Sequence, residues 1–414
     1  MTDTMERILR DHEALVQERG ADALHALRTE GIARFKELGF PDTHLEDWRF
    51  TNVAPIAKSD LTLGRPSTNG VTPDDVARLG FGGSLVFVDG HYRADLSDAQ
   101  VGVSLASIRD TIDFELKDDA PAFVALNTAF LEDGAVVEVE GELAEPLHVL
   151  FIGTDGKACH PRNVYHVKRN GRAEIVETYV SLGTGEHWTN AVGVVLVSEN
   201  AALKHTRLQL ENESAFHTSN VWVSQARDSR YTSNVVTLGG RLTRNDITAA
   251  LRGEGSLGTL NGLFMTRGSQ HVDNHTLIEH RVPHCESHEL YKGILDDASS
   301  GVFTGRIHVY EDAQKTDAFQ SNANLLLTDT AVMDTQPQLE IYADDVKCSH
   351  GATIGQLDEQ ALFYLRSRGL TKDRARNLLI RAFAGEITKR LDVAAVRERA
   401  DRLLDSRLPG NEEG

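Results

Sequence analysis

The sequence predicts a mainly β protein whose core is a stacked β-solenoid between two helical ends. From about residue 84 to residue 356, short runs alternate apolar and polar residues, which is the period of a half-buried strand. The runs recur at a loose interval, and a turn pair precedes many of them. Because no amphipathic helix of a dozen residues separates the runs, a βαβ layout is not expected.

The clearest alternating runs are 85–88, 136–139, 173–176 and 194–197. The recurring turn pairs are Glu199-Asn200, Arg227-Asp228, Gly253-Glu254, Asp296-Asp297 and Thr328-Asp329. The interval between the third and fourth pairs is longer than the others and predicts one expanded coil. In a solenoid, each coil buries its inward side chains against the coils above and below. An irregular β-sandwich is the alternative that this pattern leaves open.

Helical periodicity marks both ends of the chain. Apolar residues at three-four spacing predict helix over residues 3–38, and Gly39 and Pro41 end it. A loop at 45–52 then carries one aromatic anchor, Trp48, and residues 60–80 have the composition of a connection.

Three helices are predicted near the C-terminus, with Asp358, Thr371 and Asp392 as their N-caps. Gly369 ends the first of them. The expected apolar stripe of the second consists of Ala375, Leu378, Leu379, Ala382, Phe383 and Ile387.

These patterns divide the chain into four parts. They are an N-terminal helical region and linker (1–83), the β core (84–356), a C-terminal helical domain (357–408) and a disordered tail (409–414).

Composition excludes several classes of function. The chain has 414 residues and a net charge of −19, from 62 acidic and 43 basic residues, which disfavours binding to nucleic acid. Three cysteines with no paired spacing argue against a disulfide framework and for a reducing, cytoplasmic location. No stretch has the length of a membrane span, and the first residues do not form a secretory signal.

The sharpest chemical motif is Lys-Cys-Ser-His-Gly at 347–351. In a strand, Cys348 and His350 project from the same face. A thiolate and an imidazole suit zinc and iron–sulfur species, but two ligands cannot complete a site. A buried free thiol beside a hydrogen-bonded histidine is the alternative that the motif leaves open.

Two further groups of polar residues have a weaker chemical signature. Five histidines and Cys285 lie within 271–288, but their spacing matches no zinc template, so polar ladders are the preferred interpretation. Asp312, Asp317 and Arg306 would suit a polysaccharide-active enzyme only if the two carboxylates converged. The sequence has no nucleotide-binding P-loop.

Several ordered blocks carry a family resemblance. They begin with EDWRFT at 46–51 and HVDNHT at 271–276, and continue with PHCESHELYKG (283–293), GVFTGRI (301–307), AQKTDA (313–318), QSNANLLL (320–327), PQLEI (337–341), ADDVKCSHGAT (343–353) and FYLRSRG (363–369). In these blocks the chain resembles the SufB/SufD family of iron–sulfur cluster assembly proteins. Its length and its Lys-Cys-Ser-His-Gly motif are similar to the SufD branch.

The resemblance implies a right-handed parallel β-helix flanked by the N- and C-terminal helical parts. It also implies a scaffold subunit and not an enzyme. Such a subunit forms a heterodimer with SufB through the β-helices, or a homodimer when isolated. The ABC-type ATPase SufC docks on the C-terminal helices and hydrolyses ATP. No nucleic-acid or membrane partner is implied.

The resemblance also assigns site residues. His350 lies at the SufB interface and takes part in cluster assembly, with Cys348 as its neighbour, and these two are the candidate metal ligands. The cluster is transient and shared with SufB, and this chain alone holds no cofactor. The residues expected in the ATPase-docking helices are Leu362, Phe363, Leu378, Leu379 and Phe383. The alternatives are a SufB-like homodimeric scaffold that holds the cluster itself and a β-helix polysaccharide-active enzyme.

Overall fold

A computed structural model describes residues 3–66, 70–80, 84–98, 103–105 and 120–408. The helices in this part of the chain are α1 (Asp3–Arg19), α2 (His25–Leu38), α3 (Ala54–Ala57), α4 (Pro73–Leu79), α5 (Ala122–Ala129), α6 (Glu359–Ser367), α7 (Lys372–Thr388) and α8 (Ala394–Ser406). A 3₁₀ turn, Glu46–Trp48, follows α2. None of the described helices combines the length and the apolar character that crossing a bilayer requires.

Strands make up most of the segment between α4 and α6. They are β1 (Thr62–Leu63), β2 (Ser84–Val88), β3 (His91–Tyr92), β4 (Val103–Leu105), β5 (Val136–Val139), β6 (Leu147–Thr154), β7 (Lys157–Cys159), β8 (Arg162–Val167), β9 (Arg172–Leu182), β10 (Trp188–Val197), β11 (Ala202–Gln209), β12 (Phe216–Gln225), β13 (Arg230–Thr237), β14 (Leu242–Leu251), β15 (Leu257–Thr266), β16 (His271–His280), β17 (Glu286–Leu295), β18 (Ser300–Val309), β19 (Asp317–Leu326), β20 (Val332–Ile341) and β21 (Lys347–Gly355).

From β8 onward, successive strands alternate between two parallel sheets. The first sheet contains the even-numbered strands β8 to β20, and the second contains the odd-numbered strands β9 to β21. Each strand pairs in register with the strand one coil away; for example, β15 pairs residue by residue with β17. The core is therefore a parallel β-solenoid of about eight turns, as predicted, and the sandwich alternative is excluded.

One corner of each coil uses a left-handed backbone conformation. Residues with positive φ recur there about every 30 residues: Asn170, Asn200, Asp228, Gly255, His284 and Lys315. The Asn200 side-chain amide donates to Asn170 Oδ1 at 2.8 Å, so corner side chains also stack from coil to coil. Asn, Asp and Gly tolerate this conformation best, which explains why turn pairs of these types recur in the sequence.

The predicted expanded coil is wrong. The turn at Glu254 leads from the first sheet to the second, whereas the turn at Asp297 leads back from the second sheet to the first. The long interval between them therefore contains three strands of ordinary coils, β15, β16 and β17.

Apolar side chains form one core inside the solenoid and a separate core on each outer face. The luminal core includes Tyr231, Phe264 and Phe303. On the outside, N-terminal helices cover the first sheet, where Phe35 and Phe123 belong to one apolar cluster with Trp188 and Phe216. The C-terminal helices cover the second sheet, where Ile380 and Ile387 pack with Leu263 and Ile294. Helices therefore cover two opposite outer faces of the solenoid.

The C-terminal helices match the sequence in part. Asp358 and Thr371 accept backbone N–H groups at the starts of α6 and α7, which confirms both caps. The cap predicted at Asp392 is wrong, because that carboxylate pairs with Lys204 on β11 and α8 begins without a side-chain cap.

The predicted apolar stripe of α7 matches the buried face of the helix in part, because Ala375 and Ile387 are buried as predicted. The buried residues are Ala375, Asn377, Ile380, Ala384, Ile387 and Thr388, whereas Leu378 is exposed. Residues 60–80, predicted as a connection, contain β1 and α4. The predicted tail, 409–414, lies outside the described residues.

A buried ionic cluster fastens the N-terminal region to the first sheet. Arg244 on β14 donates to Asp273 Oδ2 on β16 at 2.7 Å, and its guanidinium lies 4.1 Å from the centre of the Trp48 ring. Thr51 donates its hydroxyl to the same Asp273 oxygen at 2.5 Å. Burial would raise the pKa of Asp273, but Arg244 and then His275 outweigh it and hold the pKa well below its usual range.

Replacing Asp273 with Asn leaves the buried Arg244 guanidinium with one carboxylate partner, the partly exposed Asp246. Because Arg244 keeps Asp246, we expect Asp273→Asn to lower the free energy of unfolding by about 2–3 kcal/mol at neutral pH. Since the folded-state pKa is depressed, the contribution of this carboxylate is present above its unfolded pKa, about 4, and is lost as the pH falls below it.

Urea unfolding measures the free energy of unfolding of the wild type and the variant. The difference between the two should become smaller as the pH is lowered towards 3. Asp60→Asn is the control, because Asp60 is fully exposed in its pair with Arg7 and its replacement should leave the free energy of unfolding nearly unchanged. A difference in the free energy of unfolding that does not change with pH would contradict the stabilising role of the Asp273 carboxylate.

Candidate functional site at the open end of the solenoid

The solenoid ends at β20 and β21, each of which has only one neighbouring strand within its sheet among the described residues. The outer edges of both strands therefore present backbone groups that another chain could pair with. Exposed apolar side chains surround this end of the lumen. They are Val332, Ile341, Tyr342 and Ile354.

Cys348 and His350 lie on β21, the last strand. In register, Cys348 follows Ala318 of β19, and His350 follows Gln320. Ala318 and Gln320 are buried in the solenoid, and Cys348 packs against the luminal core while His350 is exposed. The strand thus places both predicted residues on the luminal face, at the point where the lumen opens.

The Cys348 thiol is not activated in the isolated chain. Burial and then the nearby Asp317 carboxylate raise its pKa above the usual value, so the neutral thiol is favoured. Among the described residues, no three His, Cys, Asp or Glu side chains form a group that could hold a metal ion. Cys348 and His350 supply two donor atoms, which by themselves cannot complete a four-coordinate metal site.

Behind His350, a column of polar side chains continues into the lumen. Gln320 donates its Nε2 to Glu289 Oε2 of β17 at 2.6 Å, and both side chains are buried. Burial raises the pKa of Glu289 to about 7, although the nearby Thr276 hydroxyl and the hydrogen bond from Gln320 oppose the shift. Such a costly buried carboxyl is typical of a functional region.

The Gln320 side chain crosses the lumen where the facing strand has no side chain. A Cβ on Gly305 of β18 would lie 2.3 Å from Gln320 Nε2, so the glycine leaves room for the amide in this position.

Glu289 and Gln320 were not among the candidate residues from the sequence, although both lie in the blocks that carry the family resemblance. They are 31 residues apart. Gln320 occupies the position equivalent to His350 one coil earlier, and Glu289 occupies it two coils earlier. The solenoid period was therefore the signal that could have identified them.

The structure distributes the residues of the 271–288 group over different environments. Their positions are as follows: His271 bonds to Thr51 and Ser300, His275 to Asp273 and His280 to Ser287; His284 occupies a corner, Cys285 is buried in the lumen, and His288 stacks on Phe319. Arg306 and Asp317 belong to different sheets, with Asp312 in the turn between their strands, so this third group does not form one site.

The predicted docking residues divide into exposed and packed side chains. Phe363 of α6 is 73% exposed and Leu378 of α7 is 47% exposed, and Tyr364, not selected from the sequence, is 57% exposed. Leu362 is buried against the protein, and Leu379 is half-buried. Phe383 faces the solenoid, with Lys292 Nζ 4.2 Å from the centre of its ring.

Comparisons with known proteins agree with this architecture. A family model described as "SUF system FeS cluster assembly, SufBD core domain" matches residues 150–383, and one described as "SufBD protein N-terminal region" matches residues 2–71. The iron–sulfur cluster assembly protein SufD of Escherichia coli is 34% identical over 383 residues, which cover 90% of each chain.

Two further relatives also match most of the chain. An iron–sulfur cluster assembly SufBD family protein of Synechocystis is 32% identical over 402 residues, covering 89% of this chain and 88% of its own. The chloroplastic protein ABCI7 of Arabidopsis thaliana is 30% identical over 402 residues, covering 91% and 84% respectively.

The buried carboxyl of Glu289 predicts a pH effect opposite in sign to that of Asp273. Because its pKa is raised in the folded state, the unfolded chain loses this proton first, and stability falls as the pH rises from about 4.5 to 7. Glu289→Gln removes this loss. Relative to that of the wild type, the free energy of unfolding of the variant should rise by about 2–3 kcal/mol between pH 5 and pH 8.

Urea unfolding at several pH values measures this difference. Glu286→Gln on the same strand is the control, since Glu286 is exposed and its replacement should give no such trend. Parallel pH profiles for the wild type and Glu289→Gln would show that Glu289 does not carry the proton.

Proposed function

The chain belongs to the SufD branch of the SufBD family of iron–sulfur cluster assembly proteins, and we propose that it is a scaffold subunit of an ATP-driven assembly complex. It pairs through the open end of its solenoid with a SufB-like subunit, and its C-terminal helices bind a SufC-like ATPase. ATP is hydrolysed in that partner, and the iron–sulfur cluster is a transient cargo. The observation that carries the proposal is His350 at an uncovered luminal end.

The open end has the properties of a subunit interface. The outer edges of β20 and β21, which no other described strand pairs with, can extend their sheets into a second chain, as in β-augmentation. The apolar rim, with Tyr342 63% exposed, would be buried by that pairing. In this proposal the second chain is a SufB-like subunit, and its donors complete the ligand set at Cys348 and His350.

An exposed aromatic patch supports ATPase docking on α6 and α7. Phe363, Tyr364 and Leu378 leave large apolar surfaces in solvent, and apolar and aromatic anchors dominate the energetics of interfaces. Leu362 and Phe383 support this docking surface indirectly, because they pack the helices against the rest of the chain.

The packing of α7 offers a route for transmitting ATPase movement. Lys292 on β17 forms an ion pair with Glu386, and its Nζ donates to the Phe383 carbonyl oxygen at 3.2 Å. Arg390, after α7, donates to Asn261 Oδ1 of β15 at 2.9 Å. A pull on α7 therefore acts on β15 and β17. β17 also carries Glu289 on its luminal side, two strands from His350.

His350 is the residue whose loss should affect assembly most. We expect His350→Ala to leave the complex intact, because the exposed ring contributes little to folding, while cluster yield falls at least about tenfold, equivalent to about 1.4 kcal/mol or more. The measurement is iron and acid-labile sulfide per complex after co-purification with both partners.

His288→Ala is the matched control, since His288 lies on the outer face of the second sheet and stacks on Phe319. Normal cluster yield from His350→Ala would refute the proposed role.

The two interfaces can be separated by a pair of substitutions. Phe363→Ser should weaken ATPase binding about tenfold or more, since hot-spot aromatics contribute at least about 2 kcal/mol, and leave solenoid pairing unchanged. Tyr342→Ser should weaken pairing with the SufB-like subunit and leave ATPase binding unchanged. Affinities for each purified partner measure both effects.

The opposite pattern, or no effect from either substitution, would contradict the assignment. A chain that dimerises with itself and assembles a cluster without a SufB-like partner would favour the homodimeric scaffold instead.

A further inference from the structure

Gln320 lies between two side chains of different kinds, the buried carboxyl of Glu289 and the exposed ring of His350. The three occupy equivalent positions on β17, β19 and β21, and in-register pairing makes them consecutive members of one luminal column. Neighbouring strands in a sheet are about 4.8 Å apart, so each side chain is within reach of the next.

The amide of Gln320 has one polar atom occupied and one buried without a partner. Nε2 donates to Glu289 Oε2 at 2.6 Å. Gln320 Oε1 is buried and has no hydrogen-bond partner among the described residues. Because a carboxyl oxygen accepts from the NH₂ group, Glu289 determines which end of the amide points towards it. The amide oxygen is therefore left for a donor elsewhere, and leaving it unpaired costs free energy.

The facing strand lies close to the Gln320 amide. Gly305 lies against it from the first sheet, where any Cβ would lie 2.3 Å from Nε2 and 2.9 Å from Cδ. The cradle and the carboxyl together hold the side chain across the lumen. His350 is the next residue of the column, and it has a ring N–H to donate in either neutral tautomer.

We propose that Gln320 is a positioning residue for His350: when a partner covers the open end, the Gln320 amide oxygen accepts an N–H from the His350 ring. This bond fixes the ring orientation and tautomer and leaves the second ring nitrogen free for iron or sulfur species, as second-shell acceptors do for metal-binding histidines. Glu289 acts one step further back, by orienting the amide. The inference rests on the proposed function of His350.

Three substitutions in the complex with both partners test the inference. Gln320→Met removes the acceptor at similar size, and Glu289→Met releases the amide. Both should lower cluster yield at least about tenfold, whereas Glu289→Gln keeps an acceptor for Nε2 and should retain yield within about twofold. Gln209→Met is the matched control, because Gln209 is another buried luminal amide, bonded to Asn245 Oδ1 at 2.6 Å and remote from the open end.

The second readout does not depend on assembly. Solid-state NMR of the complex labelled with ¹⁵N-histidine reports the ring nitrogens of His350, identified by their loss in His350→Ala. A single tautomer should be seen in the wild type and in Glu289→Gln, and a mixture in Gln320→Met and Glu289→Met.

Unchanged ring signals and normal yield in Gln320→Met would overturn the proposal, and so would equal losses in Glu289→Gln and Glu289→Met. If Gln320→Met does not fold, the two Glu289 variants still decide. If His350→Ala assembles clusters normally, the proposed function of His350 fails, while the ring signals continue to test the positioning by Gln320.

Discussion

The structure depends above all on the in-register stacking of parallel strands. When β15 pairs with β17, and β17 with β19, each side chain lies directly beside its equivalent in the next coil. This constraint makes columns of similar residues favourable, because apolar side chains fill the lumen and hydrogen-bonding side chains satisfy one another. It also explains the corner residues with positive φ, since every coil must turn at the same place to keep the register.

The helical parts derive their position from the same sheets. N-terminal helices cover the outer face of the first sheet and C-terminal helices cover that of the second, so apolar outer residues on both are buried. The end at β21 keeps exposed apolar residues and an open lumen. A single strand, β17, presents Lys292 to α7 on one side and Glu289 to the lumen on the other. Helix movement and luminal chemistry therefore share one rigid element.

Two buried carboxyls show that the charge of the hydrogen-bond partner determines how much free energy it costs to bury a carboxylate. Asp273 has the Arg244 guanidinium at 2.7 Å, and the pair, held by Thr51 and covered by Trp48, fastens the N-terminal region. The groups that oppose the pKa shift of Glu289 are the Thr276 hydroxyl and the Gln320 amide, neither of which carries a charge, so burial raises its pKa to about 7. The first carboxyl stabilises the fold, whereas the second costs stability at neutral pH and lies in the column that leads to His350.

Local signals in the sequence were enough for the strand period, the turn pairs, the caps at Asp358 and Thr371, and the common luminal face of Cys348 and His350, because each depends on residues close together in the chain. The family blocks added the handedness and the partners as expectations. Tertiary structure alone decided that Asp392 pairs with Lys204 instead of capping α8, and that Leu378 stays in solvent. It alone placed Gln320 between Glu289 and His350. These outcomes depend on contacts between residues a full coil or more apart, and such contacts exist only once the register of the stacked coils has been set.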